Sequence, residues 1–341
     1  MTTPWYQSEE TSQSQILSSR VRLARNIKKY PFQKKLCAKD AAAMVLEAKL
    51  AVSRMGTSMM FHQLDIQGLS ETEQKVFLEK HLVSPEFLRG DLPKGLLVSD
   101  DQNISVMLNE EDHVRIQSVM PGDGLTAAFE TANQIDDLIE ETVEFAFNSE
   151  YGYLTACPSN IGTGLRASYM IHLPCLDISG QLKNILPHMT KFGIVLRGIY
   201  GEGTAPMGSI YQISNQRTLG KSEKDIIEDL QKVTQHVINH ENQARDKLLQ
   251  TGKDYIHDKI YRAYGILKYA RKITSQEAMD LLSDIRLGFL TGILEESLPD
   301  KQIYQIMMEV QAGHLERVAG TELSDQEKDA ARADYLRRNI R

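Results

Sequence analysis

The sequence predicts an α+β domain followed by an all-helical domain. Two observations carry this prediction. Short strand-like runs alternate with helix-like runs over the first two thirds of the chain, whereas the pattern from Ser222 onward is helical only. We therefore expect one domain over residues 14–245 and a second over residues 246–341.

The strand-like runs of the first domain are short apolar stretches bounded by polar or turn-forming residues. They cover residues 95–99, 104–108, 167–173, 193–200 and 209–215. Two intervening stretches, 41–53 and 126–147, place apolar residues at helical spacing. This mixture of strands and helices within one segment predicts the α+β class.

Three helix-start signals occur in the chain from Ser222 onward. Ser222 and Asp225 fit a capping box, in which the first side chain accepts a hydrogen bond from the backbone three positions on. The same spacing recurs in Thr274 with Glu277 and in Ser324 with Glu327. We therefore expect helices to begin directly after Ser222, Thr274 and Ser324.

Composition restricts the class of partner. The chain has 341 residues with a formal charge of −7, and this balance argues against a general nucleic-acid or anionic-membrane binder. No stretch is long and apolar enough to predict a membrane span, and the N-terminus shows no apolar signal region. Three cysteines, Cys37, Cys157 and Cys175, form no disulfide or metal motif, so we expect a cytoplasmic location.

One polar run, NEEDH, interrupts an apolar stretch and is followed by Arg115. If strand alternation continues through it, Glu111, His113 and Arg115 share one face. Glu110 and Asp112 then lie on the opposite face. A solvated loop is the competing interpretation of the same run.

Five arginines, Arg115 among them, lie in apolar strand-like segments, where a buried guanidinium needs a partner or an anion. They are Arg20, Arg22, Arg115, Arg166 and Arg197. Each one alone is better explained by a local salt bridge. Together they favour a site for a multiply charged ligand, because the planar guanidinium binds phosphate oxygens in pairs.

Four segments resemble, in the same order, the catalytic core of the phosphagen (guanidino) kinase family. They are SSRVRLAR, LNEEDHVRI, TACPSNIGTGLRASYMIHLP and RGIYGEGT…GSIYQISNQRTLG, spanning about residues 16–220. The resemblance implies an antiparallel sheet flanked by helices, with ATP and Mg²⁺ as cofactors. Within the family the chain is most similar to the bacterial branch that phosphorylates arginine side chains of proteins, because its helical domain follows the core rather than preceding it.

The resemblance also implies roles for individual residues. Glu111 and Glu202 would bind and activate the acceptor guanidinium, and Cys157 would position or polarise it without becoming phosphorylated. Glu110 and Asp112 would be structural, with steering of the substrate as an alternative role for Glu110. The implied nucleotide-binding residues are Ser18, Ser19, Arg20, Val21, Arg22, His81, Arg115, Arg166, Ala167, Ser168, Tyr169, Met170, Arg197, Gly198, Ile199, Tyr200, Gly201 and Glu202. No resident metal site is expected.

The C-terminal domain departs from the family pattern at one motif. Where the bacterial branch carries RDxxRA, implicated in binding phosphoarginine, this chain has KDAARA, with Lys328, Asp329 and Arg332. Lysine lacks the bidentate fork of arginine, so phosphoarginine binding there is in doubt, and a solvated helix face is an equal alternative.

The same resemblance implies partners. We expect protein substrates with exposed arginines, a homodimer formed through the helical domain, a small zinc-containing activator protein and a Clp-type protease that receives the modified proteins. No nucleic acid and no membrane are expected. Two other functions stay open at this point: a kinase of free arginine or another small guanidine, and a non-enzymatic adaptor that binds phosphoarginine.

Overall fold

A computed structural model describes residues 4–8, 14–53, 60–66, 68–198, 206–294 and 302–340. The chain divides into two compact units. Unit 1 comprises Met1–Trp5, Ser18–Ser168 and Ser214–Leu230, and unit 2 comprises Tyr6–Leu17, Tyr169–Ile213 and Gln231–Arg341. The predicted boundary after residue 245 falls inside a helix, Glu223–Thr251, and stays a prediction.

The strands of the described residues are short, and most belong to one antiparallel arrangement. They are β1 Ile16–Arg25, β2 Phe61–Leu64, β3 Gly95–Ser99, β4 Ile104–Leu108, β5 Val114–Pro121, β6 Phe147–Asn148, β7 Gly152–Tyr153, β8 Leu165–His172, β9 Ile194–Gly198 and β10 Ile210–Asn215. In unit 1 the order of hydrogen-bonded neighbours is β2-β3-β4-β5-β1-β8-β10, and in unit 2 it is β8-β10-β9. The pairs β2/β3, β3/β4, β4/β5 and β1/β5 are antiparallel, as expected.

The helices that the structure describes are α1 Ala38–Ser53, α2 Glu71–Glu79, α3 Leu125–Glu140, α4 Pro174–Ile178, α5 Leu182–Lys191, α6 Glu223–Thr251, α7 Lys253–Tyr269, α8 Ser275–Thr291, α9 Ile303–Glu309, α10 Ala312–Ala319 and α11 Asp325–Asn339. From α6 onward the described chain contains helices and no strand, as predicted. None of the described helices has the length and apolar content needed to cross a membrane.

The three predicted helix starts are confirmed. The Ser222 hydroxyl accepts a hydrogen bond from the Asp225 backbone N–H over 3.2 Å, and the Asp225 carboxylate accepts one from the Ser222 backbone N–H. Ser324 makes the same reciprocal capping box at the start of α11. Thr274 caps α8 through its side chain alone. Each cap supplies an acceptor to a backbone donor that has no partner within the helix.

The helix predicted over residues 126–147 ends early, at Glu140. Beyond it the backbone pairs with the segment after β1: the Lys28 N–H donates to the Glu144 carbonyl, and the Ala146 N–H donates to the Asn26 carbonyl. Phe145 then packs edge-on against Tyr153, with ring centroids 6.2 Å apart. The apolar residues after Glu140 therefore face a loop and a hairpin, a tertiary contact that helical spacing does not reveal.

The sheet of unit 1 has two different faces. In the β1/β5 register Arg22 lies opposite Gln117 and Ala24 opposite Arg115, so these side chains share one face. The alternate residues, such as Leu23 opposite Ile116, are fully buried on the other face. Helix α3 packs on β5, and its Asp136 pairs with Arg25, which shares the face of Leu23 on β1, so α3 covers this apolar side. The face that bears Arg22 and Arg115 is left for the candidate site.

A cluster on the arginine-bearing face covers the outer strands. Leu82 and Phe87, after α2, pack with Leu96 and Val98 of β3 and Met107 of β4. These side chains are nearly inaccessible to solvent. The segment that follows α2 is thereby fixed over the sheet, beside the strands that carry the arginines.

A buried polar network holds the interior of unit 2. The guanidinium of Arg286 donates to His172 Nδ1 over 2.7 Å and to the Ser14 carbonyl over 2.6 Å. His172 Nε2 lies 2.7 Å from the Ser283 hydroxyl. Burial and the neighbouring Arg286 lower the pKa of His172, so the ring is a neutral acceptor at Nδ1 and a donor at Nε2.

Candidate active site

The NEEDH run forms the turn between β4 and β5. Asn109 adopts a left-handed conformation with φ 66°, and its N–H donates to the His113 carbonyl over 2.8 Å. Leu108 therefore pairs with Val114, and the strand reverses. The predicted extended alternation through this run is wrong, because asparagine tolerates the positive φ that a tight reversal requires.

The turn is nevertheless a buried structure. Glu110 is 3% exposed and forms an ion pair with Arg115, with Oε2 and Nη1 2.5 Å apart. It also accepts hydrogen bonds from the Ser84 hydroxyl over 2.6 Å and from the Glu111 N–H over 3.0 Å. Burial opposes the charged form, but Arg115 and these donors hold the pKa of Glu110 below its usual value. Glu110 thus fixes the direction of Arg115. Strand alternation had instead predicted that Arg115 shares a strand face with Glu111.

Asp112 joins the turn to the loop that carries Cys157. Its Oδ1 accepts hydrogen bonds from Asn26 Nδ2 over 2.7 Å and from the Ala156 N–H over 2.6 Å. Asn26 also donates to the Leu154 carbonyl, 3.1 Å away. Burial raises the pKa of Asp112, although these donors favour its charged form. The contacts agree with the predicted structural role of Asp112 and place Cys157 beside the Glu111 turn.

Asp112→Ala should lower the activity that the family resemblance implies at least about tenfold, because losing both hydrogen bonds frees the Cys157 loop from the turn. Asp112→Asn keeps the accepting oxygen and should retain most of the activity. Steady-state kinetics on both variants checks this. Equal losses in the two variants would contradict a positioning role for the Oδ1 contacts.

Glu111 differs from its neighbours in being half-exposed. Among the described residues its carboxylate accepts no hydrogen bond, whereas those of Glu110 and Asp112 are engaged. Burial raises the pKa of Glu111; Arg115 opposes this shift, and the adjacent carboxylates reinforce it. A carboxylate with a raised pKa is a stronger base, as proton withdrawal from an acceptor requires.

Cys157 lies half-buried in the loop before β8. Its Sγ is 3.0 Å from the Ser159 hydroxyl, and its carbonyl accepts a hydrogen bond from Thr155 Oγ1 over 2.8 Å. Thr218 secures the same loop by donating to the carbonyls of Ser159 and Ile161. The thiol is therefore held in a defined position within unit 1.

Four arginines crowd the same face of the sheet. Arg20 and Arg22 alternate along β1, and the positive charges of Arg20, Arg115 and Arg166 all act on Arg22. Burial first, and then this crowding, lowers the pKa of Arg22 well below its ordinary value. A guanidinium keeps its proton in proteins, so the crowding persists as a strongly positive potential.

Unused donor capacity accompanies this charge. Nε of Arg22 and Nε of Arg115 are buried and have no acceptor among the described residues. A polyphosphate would supply both acceptor oxygens and negative charge, and guanidinium groups match phosphate geometry. The set therefore fits an anionic ligand such as the phosphates of ATP.

His81 lies close to this potential. Its ring centroid is 6.4 Å from that of Trp5, and Gln117 Nε2 donates to the His81 carbonyl over 2.6 Å. Burial, followed by the charges of Arg20 and Arg22, lowers the pKa of His81 to about 3. The ring is therefore neutral near pH 7 and offers a flat surface rather than a charge.

The neutral His81 predicts a pH dependence of stability. Between its folded pKa of about 3 and its ordinary value of 6.5, the unfolded chain binds a proton that the folded chain does not. Stability should therefore fall on acidification through this window. His81→Asn, which suits the φ of 57° at this position, should lose less stability between about pH 7 and about pH 4.5 than the parent chain. Urea midpoints at both pH values check this, and identical acid losses would contradict it.

Comparison with known proteins decides the family. Residues 43–244 match the sequence profile described as "ATP:guanido phosphotransferase, C-terminal catalytic domain". The chain belongs to the ATP:guanido phosphotransferase family. Residues 253–341 match a second profile, "Protein-arginine kinase McsB C-terminal domain".

Relatives within the ATP:guanido phosphotransferase family extend over nearly the whole chain. The protein-arginine kinase of Caldanaerobacter subterraneus subsp. tengcongensis is 43% identical, covering 94% of this chain and 95% of the relative. That of Bacillus subtilis is 42% identical, covering 98% and 93%. The crystal structure of a lombricine kinase is 24% identical with a TM-score of 0.61, covering 73% of this chain and 70% of that one, and it shows the shared fold.

The remaining family-implied residues fall in different places. Ser18, Ser19, Val21, Ala167 and Ser168 lie in unit 1, and Tyr169, Met170, Arg197 and Gly198 lie in unit 2. Ser19 has a structural task, since its hydroxyl donates to the Gly122 carbonyl and accepts from the Gly124 N–H. Ile199, Tyr200, Gly201 and Glu202 lie outside the described residues.

One glycine-rich loop serves the fold. In the segment NIGTGLR, Gly164 has φ 65°, and its carbonyl accepts a hydrogen bond from the Ala24 N–H of β1 over 3.0 Å. A Cβ at this position would lie 2.6 Å from the Ala24 carbonyl oxygen, so only glycine lets β8 begin this close to β1.

Several supporting residues escaped the sequence analysis. The hydrogen bonds described above come from three of them. Ser84 donates to Glu110, and Asn26 donates to Asp112. Gln117 donates to the His81 carbonyl. Gln117 could have been found, because it follows Arg115 by two positions on the same strand face. Ser84 and Asn26 could not, since nothing in their local sequence marks a distant carboxylate.

The KDAARA motif lies on α11 and is tied into the helical domain. Arg332 is 3% exposed and donates to the carbonyls of Val310 and Ile273 and to the Asp329 carboxylate. Lys328 pairs with the buried carboxylate of Glu316 over 3.2 Å. Arg332 and Asp329 thus support the packing of α11.

Proposed function

We propose that this chain is an ATP-dependent protein-arginine kinase, which transfers the γ-phosphoryl group of ATP to the guanidinium of arginine side chains. One observation carries the chemistry: Glu111, whose carboxylate no described residue engages, stands beside a crowded set of arginines on one sheet face. The set fits the phosphates, and the carboxylate fits a cationic acceptor.

The acceptor chemistry explains why a carboxylate is needed. A guanidinium is protonated at neutral pH and becomes a nucleophile only when a proton leaves. Glu111 pairs with the guanidinium and takes that proton. The freed nitrogen forms a bond to the γ-phosphorus while the bond to the ADP oxygen breaks, giving phosphoarginine and ADP. Cys157, held beside the same turn, positions the guanidinium.

Binding of the nucleotide, and stabilisation of its transferring phosphate, depend on the charge and the position of the arginines. In phosphoryl transfer, catalysis comes mainly from alignment and stabilisation of charge on the phosphate oxygens. Arg20, Arg22, Arg115 and Arg166 supply both, and Glu110 fixes Arg115. Mg²⁺ belongs to the substrate, as Mg-ATP, because this cationic surface fits the phosphates and repels a free cation. His81, whose ring is neutral near pH 7, contacts the base, as the family resemblance implies.

The protein acceptor is supported by the relatives. Those of about 40% identity that match this chain over nearly its full length are named protein-arginine kinases, and the C-terminal segment matches a domain named for that activity. We assign the catalytic domain to residues 14–245 and the helical domain, for recognition and dimerisation, to residues 246–341.

Other features follow from the family resemblance and belong to the same proposal. Glu202 serves as the second carboxylate for the acceptor, and Arg197 as a fifth phosphate ligand. The enzyme acts in the cytoplasm as a homodimer in protein quality control under stress, with a small zinc-containing activator and a Clp-type protease as partners. We do not include phosphoarginine binding by Lys328, Asp329 and Arg332 in the proposal, because Lys328 and Arg332 already make contacts within the helical domain.

One labelling experiment tests the proposed function. The purified chain is incubated with Mg-ATP labelled at the γ-phosphate and either an arginine-rich protein or free arginine. We expect label on the protein, lost in strong acid because the N–P bond of phosphoarginine is acid-labile. Acid-stable label would indicate a hydroxyl kinase and overturn the proposal. Label on free arginine alone would favour a small-guanidine kinase. No label on either substrate, together with binding of phosphoarginine by the chain, would favour an adaptor.

A further inference from the structure

Unit 2 carries a group of histidines that the proposed chemistry does not use. His236 and His240 lie one turn apart on α6, and His188 lies on α5. All three line one surface cavity of about 350 Å³, together with the amide side chains of Gln181 and Asn184. Neutral imidazole nitrogens and amide oxygens are metal-ligand types.

The α6 pair has the geometry of a chelate. The Nε2 atoms of His236 and His240 are 3.1 Å apart, and the rings stand nearly perpendicular, at 87°. An ion about 2.0–2.1 Å from both nitrogens would subtend an angle of about 100° between them. That angle lies between the octahedral and tetrahedral values. An ion would replace the hydrogen bond between the two Nε2 atoms, with both rings in the tautomer that carries its proton on Nδ1.

His188 lines the same cavity and is the candidate third ligand. In the present structure its Nδ1 lies 3.2 Å from the carbonyl of Asn184, one turn earlier on α5. Within the described residues no three such side chains already converge at ligand distance. His188 is exposed, so its side chain is free to change rotamer, and a rotamer directed into the shared cavity would exchange the Asn184 contact for the metal.

We propose that His236 and His240 clamp a divalent transition-metal ion, with His188 as the third ligand from α5. Imidazole ligation suits nickel, copper and zinc, whose affinities follow the usual order for such sites. The ion would cross-link α5 to α6. Because β9 follows α5 closely and carries Arg197, the cross-link would brace a strand that bears a proposed nucleotide ligand. That last consequence rests on the proposed function; metal binding does not.

Calorimetric titration of the untagged chain with Ni²⁺ tests the clamp. Nickel is the probe because zinc would also be taken by the exposed thiol of Cys37. We expect one site in the parent chain, and at least about a tenfold weaker affinity in His236→Gln and in His240→Gln. His257→Gln, on α7, is the matched control and should bind like the parent.

The outcomes separate clearly. No binding by the parent chain, unchanged affinity in the two α6 variants, or an equal loss in the His257 control would each overturn the clamp. For the third ligand, Ni²⁺ should slow amide hydrogen exchange in α5 of the parent chain, and His188→Gln should abolish the slowing. Exchange in α5 that does not respond to Ni²⁺ in the parent chain would overturn the role of His188. Kinase activity enters none of these readouts, so a failure here is distinct from a failure of the proposed function.

Discussion

Glu111→Gln should lower kcat by at least about a hundredfold while ADP binds as it does to the parent chain. The amide has the shape of the carboxylate but can neither accept the proton nor carry the charge that pairs with a guanidinium, and general-base effects are typically about 10²–10⁴-fold. The proposed phosphate-binding arginines are untouched by the change. Steady-state kinetics with a protein substrate and calorimetric binding of ADP measure the two effects separately.

Glu144→Gln is the matched control for Glu111. Glu144 is exposed, pairs with Lys28 and is not among the charges that shift the pKa of Glu111, so the same chemical change there should leave kcat within about twofold. The parent enzyme should also lose activity as the pH falls through the pKa of Glu111, which burial raises above the ordinary value. An acid limb at the ordinary pKa of glutamate, or a Glu111→Gln variant with near-parental kcat, would remove Glu111 from the proton-accepting role.

Arg25→Met should destabilise the chain by about 3–5 kcal/mol, the largest loss of stability expected from any substitution discussed here. Arg25 and Asp136 form an ion pair of 2.6 Å with side chains only 2% and 4% exposed. Arg25 also donates to the Thr163 carbonyl over 2.9 Å and lies 3.5 Å from the centre of the Tyr153 ring. Removing it leaves the Asp136 carboxylate buried without its counter-ion.

The double variant Arg25→Met/Asp136→Leu is the informative control. It removes both charges, and apolar replacement of a buried pair is often neutral, so it should recover most of the lost stability. Full recovery is not expected, because the Thr163 carbonyl loses its donor. Urea midpoints of the parent, single and double variants measure this. A double variant no more stable than Arg25→Met would show that the carbonyl contacts, and not the paired charges, dominate.

The elements that sequence analysis located best are those set by local chemistry. The strands Gly95–Ser99 and Ile104–Leu108 and the caps at Ser222, Thr274 and Ser324 were predicted because apolar runs and capping residues act over a few positions. The end of α3 was misplaced, because its cause is pairing with the segment after β1.

The candidate site divides in the same way. The arginines were found because a guanidinium in an apolar strand is conspicuous, and the face shared by Arg22 and Arg115 depends only on strand alternation within β1 and β5 and on their register. The sequence did not predict which carboxylate pairs with Arg115. The turn at Asn109 reverses the chain, so Arg115 pairs with Glu110, and this depends on a positive φ that no periodicity displays.

The crowding of Arg20, Arg115 and Arg166 around Arg22 has a consequence for the resting enzyme. Mutual repulsion among these charges opposes the folding of this part of unit 1, so the proposed phosphate site would be kept at the expense of stability. An anion that neutralises the cluster binds only the folded chain and should raise its melting temperature. Conversely, Arg22→Met should melt higher than the parent chain without nucleotide and gain less from ADP, so that thermal stability itself would report occupation of the proposed phosphate site.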